Sequence, residues 1–100
     1  MGLNEEILEC IDRGLSSLGE SAKYVIYWHL KKDYKVSREE IPENPEKFLE
    51  ALRDMFGAAG AAVLERSIVR EIKFRFGGVE GNSLKEVIEE LRRTHGGKLS

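Results

Sequence analysis

His29 and Asp33 stand four residues apart, a spacing that puts both on one face of a helix and lets the carboxylate orient the imidazole as in an acid–base pair. No nucleophile-elbow pattern accompanies them, and Ser16 and Ser17 sit at a helix end without such a context, so the pair reads as a helix-surface interaction. Metal chemistry finds no better support. Cys10, His29 and His95 are far apart with no paired ligand spacing, and the acids Glu39, Glu40, Glu43 and Glu46 lack the glycine at the sharp turn of a calcium-binding loop. Gly77-Gly78-Val79-Glu80-Gly81 is glycine-rich, yet it follows a helical pattern rather than a strand and carries no lysine to reach a phosphate. The expectation is therefore no enzyme, no catalytic residue, no metal and no cofactor. An enzyme with an unrecognised site ranks third among the functional readings, and it would need a cleft joining His29 to a second group.

Two other sets of side chains suit contact better than reaction. Tyr24, Tyr27, Trp28 and Tyr34 gather half of the chain's aromatic residues on one helical segment. Tyr and Trp join a large apolar body to a polar tip, and one face of a small helix cannot cover all four, so a partly exposed aromatic patch is expected as the leading binding surface. Arg66, Arg70 and Lys73 recur at i, i+4 and i+7 and form a positive stripe, with Ala at position 62 and Phe at position 74 where an acidic neighbour would neutralise it. Acids on neighbouring helices or water rank first as partners of this stripe, another protein second and nucleic acid third, because stacking aromatics are not interleaved on that face. The Gly57–Ala62 run resembles the turn of a DNA-reading helix pair, but the helix it opens begins with Ala58, Ala59, Ala61, Ala62 and Val63, which offer base edges nothing to bond. Small residues there serve close packing.

The elements that position these residues follow from the apolar spacing. Asn4 reads as the cap of a first helix with Ile7, Leu8, Ile11, Leu15 and Leu18 inward, closed by Gly19. Gly19 or Ser21 opens the aromatic helix, whose C-terminal end is favoured by Lys31, Lys32 and Lys35. Ser37 and Glu40 have capping-box spacing for a single turn ahead of the Ile41-Pro42-Glu43-Asn44-Pro45 junction. There Ile41 and Asn44, each preceding a proline, are expected to be extended, with Asn44 capping a helix that starts at Pro45. Phe48, Leu49, Leu52, Met55 and Phe56 define that third helix up to a stop at Gly57. A fourth carries Leu64, Ile68, Val69, Ile72 and Phe76. Its Ile72–Phe76 end also alternates like a strand, with a helix end favoured. Ser83 and Glu86 form a second capping box for a last helix, residues 83–95, with Leu84, Val87, Ile88 and Leu91 inward, before a fraying Gly96-Gly97 tail. The fold class is all-α: a compact bundle of about five helices with a proline-marked junction between the second and third.

Bulk properties bound the function. With 100 residues, 34% of them charged and 41% hydrophobic, the chain is a single helical domain spanning 1–100 with enough apolar content for a core. A net charge of −2 argues against nucleic acid or anionic membrane as the default partner. The single cysteine precludes an internal disulfide, no apolar run approaches the ~20 residues of a membrane span, and the acidic start lacks a signal-peptide pattern. A cytoplasmic location is expected.

Taken together, Leu18-Gly19-Glu20-Ser21, Tyr27-Trp28-His29-Leu30, the proline junction with Phe48, and Phe56-Gly57 followed by Leu64-Glu65 resemble a small archaeal signalling output domain family of the Nitrosopumilus output domain type. The resemblance covers roughly residues 4–77 and leaves the last helix outside. It implies a module found alone or at the end of sensory proteins, with no enzymatic residues to carry over. The leading expectation is a non-catalytic signalling or interaction module that acts by protein–protein contact. Its candidate surface comprises Tyr24, Tyr27, Trp28, Tyr34, Arg66, Arg70, Lys73, Leu84, Val87, Ile88 and Leu91. The last helix either folds onto its own core or exchanges with a second copy in a homodimer. The alternative is a nucleic-acid-associated regulator using Arg66, Arg70, Lys73, Arg92 and Arg93.

Overall fold

A computed structural model describes residues 2–95 and contains α1 (Leu3–Leu15), a 3-10 turn (Ser16–Leu18), α2 (Glu20–Tyr34), a second 3-10 turn (Arg38–Glu40), α3 (Pro45–Phe76) and α4 (Leu84–Thr94). The fold is all-α, with no strand among the described residues, and Ile72–Phe76 is the end of a helix. Among the described residues there are four α-helices rather than five. The expected third and fourth are one element, interrupted at Gly57, whose backbone (φ 79°, ψ 166°) lies in a region open essentially to glycine alone. A straight helix of 32 residues would be about 48 Å long, whereas the longest dimension of the molecule is 36 Å, so Gly57 folds the element back within the domain.

The core lies where α1 crosses α3. Ile7, Ile11 and Leu15 face Phe48, Leu52, Ile68 and Ile72, all fully buried, and Leu30, Ile41, Leu84 and Leu91 belong to the same cluster. Gly14 makes the crossing possible. A Cβ at that position would sit 2.5 Å from Cγ1 and 2.9 Å from Cα of Ile68, so any larger residue would push the two helices apart.

Several element boundaries differ from the sequence expectation for local reasons. Gly2, not Asn4, precedes the first helix, with its N–H donating to Glu5 Oε1, and this frees the Asn4 amide to donate to Glu43 Oε2 at 2.9 Å. α1 stops at Leu15 rather than near Gly19. The Ser16 and Ser17 hydroxyls donate back to the Asp12 and Gly14 carbonyls, the chain tightens into a 3-10 turn, and Leu18 is exposed. Gly19 opens α2 at φ 103°. Ile41 is helical (φ −57°, ψ −45°), contrary to the expected extended residue: the Ser37–Glu40 turn runs on through it, and its side chain is fully buried. Asn44 does leave the helical region and caps α3 by accepting from Lys47 N–H, with Pro45 in the first turn.

α4 folds onto its own chain. Ser83 Oγ accepts from Glu86 N–H as expected, but the Glu86 carboxylate accepts from Asn82 N–H instead of completing the box. Glu65 accepts from Leu84 N–H at 2.9 Å, and Arg92 donates to Asn4 Oδ1 and to the Pro42 carbonyl at 2.9 and 3.0 Å. The proline junction is therefore the seat on which the last helix is anchored. The expected fraying at Gly96-Gly97 lies outside the described residues.

Candidate interaction surfaces

α2 is the least covered helix, with Ile26 and Leu30 as its only fully enclosed residues. The aromatic band divides along it. Tyr27 is half-buried, and its hydroxyl donates to Asp12 Oδ1 at 2.5 Å, while Arg38 donates to both oxygens of the same carboxylate at 3.1 and 2.6 Å. Burial raises the Tyr27 phenol well above its ordinary range, reinforced by the hydrogen bond to Asp12. Partial burial alone would raise the Asp12 carboxyl, but the hydrogen bonds from Arg38 and Tyr27 outweigh it and hold the group below its usual value. This cluster joins α1, α2 and the second 3-10 turn. Tyr34, also half-buried, donates to Asp54 Oδ2 at 3.2 Å and ties α2 to α3.

Tyr24 and Trp28, by contrast, are 65% and 56% exposed. Val25 and, from α3, Phe56 extend the apolar surface beside them. Cations lie over the rings: Lys32 Nζ is 4.5 Å from the Trp28 centroid and Lys23 Nζ is 5.0 Å from that of Tyr24. Two shallow cavities flank the helix. One of about 440 Å³ is bounded by Tyr24, Trp28, Lys31 and Lys32, and one of about 360 Å³ by Val25, His29, Met55 and Phe56. His29 Nδ1 lies 3.0 Å from Asp33 Oδ2, the pair its spacing predicts, on the helix surface beside that apolar hollow.

The cationic stripe occupies the open face of the C-terminal half of α3. Arg66, Arg70 and Lys73 are exposed, and none of them forms an ion pair among the described residues. With Ala62, Val69 and Asn82 they border a groove of about 570 Å³. Arg92 and Arg93 do not join this set, because Arg92 is held at the proline junction and Arg93 pairs with Glu90. Phe74 was missed by sequence reasoning. It is 85% exposed, and Val63 on the same helix is also exposed. The available signal was phase: both fall outside the Leu64, Ile68, Ile72 and Phe76 stripe that faces the core. Leu84, Val87, Ile88 and Leu91 are buried in the core of this chain and present no surface in this fold.

No metal-ligand cluster of three or more acidic, histidine or cysteine side chains occurs among the described residues, and none of their helices is long and apolar enough to cross a membrane. No functionally curated protein shows a match. The crystal structure of PH0832 from Pyrococcus horikoshii OT3 is similar, with 30% sequence identity, a TM-score of 0.86, and coverage of 93% of this chain and 96% of that one. The profile of Nitrosopumilus output domain 5 matches residues 3–93, which brings α4 inside a resemblance that had reached only to residue 77. The chain belongs to the Nitrosopumilus output domain 5 family.

Proposed function

We propose that this domain is a non-catalytic signalling module that acts by protein–protein contact through the exposed face of α2. The observation that carries the reading is the grouping of Tyr24, Val25, Trp28 and Phe56, each more than 40% exposed, between two shallow hollows. Aromatic side chains of this type anchor protein interfaces because they bury a large area at low conformational-entropy cost and keep a polar tip for the rim. Lys31 and Lys32 supply such a rim at the C-terminal end of the face. The partner is another protein, with a second copy of the chain included, and the setting is the cytoplasm. The single thiol, Cys10, fits a module that needs no disulfide, since burial pushes it up to about 11 and leaves it unreactive at neutral pH.

The test is affinity capture from source-cell extract together with light scattering, comparing the wild type with the Tyr24→Ala/Trp28→Ala double variant. Loss of captured partners or of self-association, at unchanged helical circular dichroism, is the expected outcome. An identical partner set and identical mass for both proteins would remove α2 as the contact surface.

A further inference from the structure

We propose that the C-terminal half of α3 is a second docking surface, and that its occupant is a short acidic amphipathic segment of another protein. This surface shares no lining residue with the α2 face and stands on different chemistry. Four of the eight arginines form ion pairs within the domain: Arg38 with Asp12, Arg75 with Glu9, Arg92 with Glu43 and Arg93 with Glu90. Arg66, Arg70 and Lys73 instead point three uncompensated charges along one exposed line. Helical rise sets the length of that line at about 10 Å, which matches carboxylates at i, i+4 and i+7 of a partner helix. Two of the three cations are arginines, whose planar forks bind carboxylates in a bidentate manner.

The flanks of the stripe distinguish an acidic protein segment from a nucleic acid. On one side the groove has Ala62 and Val69 along it, with room for an aliphatic side chain. On the other side Val63 and Phe74 are exposed. A row of charge between two apolar borders complements a segment that carries both carboxylates and aliphatic groups. Three cations displace few counterions from a polyanion, and its phosphate backbone would leave the apolar borders unused.

The experiment is an amide-resolved NMR titration of the isotope-labelled domain with a short synthetic helical peptide carrying Glu at i, i+4 and i+7 beside Leu residues. The controls are its Glu-to-Gln counterpart and a mixed-sequence DNA at the same low ionic strength. Shifts confined to residues 62–74 and Asn82, at least about tenfold weaker binding for Arg66→Glu/Arg70→Glu, and no response to the Gln peptide are the expected results. The Trp28→Ala variant should bind the acidic peptide as the wild type does, which separates this surface from the α2 reading. Should the double variant lose its dispersed spectrum, the single exposed substitution Lys73→Glu serves in its place, with a smaller loss in the same direction. Shifts located elsewhere, equal affinity for the Gln peptide, or indifference to charge reversal would overturn the assignment. Tighter binding of the DNA would also overturn it, in favour of nucleic acid.

Discussion

α2 and α4 each carry four large side chains at helical spacing, and the domain treats them in opposite ways. In α4, Leu84, Val87, Ile88 and Leu91 are at most 2% exposed, and ties to Glu65, Asn4 and Pro42 hold the helix against the core from both ends. Of the four aromatic side chains of α2, Tyr27 and Tyr34 are drawn inward, each with its hydroxyl on a carboxylate, while Tyr24 and Trp28 are turned to solvent. Spacing does not explain the contrast: Tyr24, Tyr27 and Trp28 repeat the i, i+3, i+4 spacing of Leu84, Val87 and Ile88, and at about 100° per residue each set spans the same arc. Neighbours explain it, because α4 meets α3 and the proline junction, and α2 has little beyond Met55 and Phe56 on its outer flank. One apolar face is enclosed in the core, and the other stays exposed to solvent.

The sharpest way to break this comparison is to truncate each face and measure unfolding. Leu91→Ala removes a fully buried side chain and should cost about 2–5 kcal/mol, read as a lower denaturant midpoint or an unfolded spectrum. A cost below about 1 kcal/mol would mean that α4 is not part of the core. A middle-sized effect is expected where α2 is pinned inward. Asp12→Asn loses the charge-assisted bonds to Arg38, worth about 1.5–3 kcal/mol at neutral pH. The pH dependence has a definite sign: because Asp12 is held below its unfolded value of about 3.9, its contribution is complete above that pH and disappears as pH falls through the lower folded value. The wild type should therefore lose stability below about pH 4 more steeply than the Asn variant, and parallel acid limbs would show that the carboxylate is not coupled to folding. The smallest effect belongs to the outer face. Trp28→Ala should change stability by no more than about 0.5 kcal/mol, and a loss comparable to that of Leu91→Ala would reclassify Trp28 as core.

Features governed by neighbouring residues were readable in the chain. The Asn44-Pro45 start of α3, the Ser37–Glu40 turn, the Gly57 break and the His29–Asp33 pair all depend on contacts within four residues, and each is present. Features assembled from distant segments were not. Asp12 meets Tyr27 and Arg38 across 15 and 26 positions, and no local pattern marks them as a unit. Gly14 looked like an unremarkable position inside an amphipathic repeat, yet it is where α1 touches the backbone of α3. Ile41 overrode the preference of a residue before proline because the preceding turn continued through it into a buried position. The candidate surface was half legible. Residue type pointed to Trp28 and to the α3 stripe, but hydrophobicity alone could not tell exposed Phe74 from Ile88, which is enclosed at 2%.

The order of residues alone specified an all-helical domain and its breaks at Gly57 and at the Asn44-Pro45 start of α3, since φ preferences, capping and short-range periodicity act within a few residues. Which apolar faces are covered was settled by tertiary packing. Burial of a side chain depends on what packs above it, and that is set by chain reversal at Gly57, close approach at Gly14 and the anchoring of α4 on the proline junction. The same packing that closed the α4 face left Tyr24 and Trp28 open.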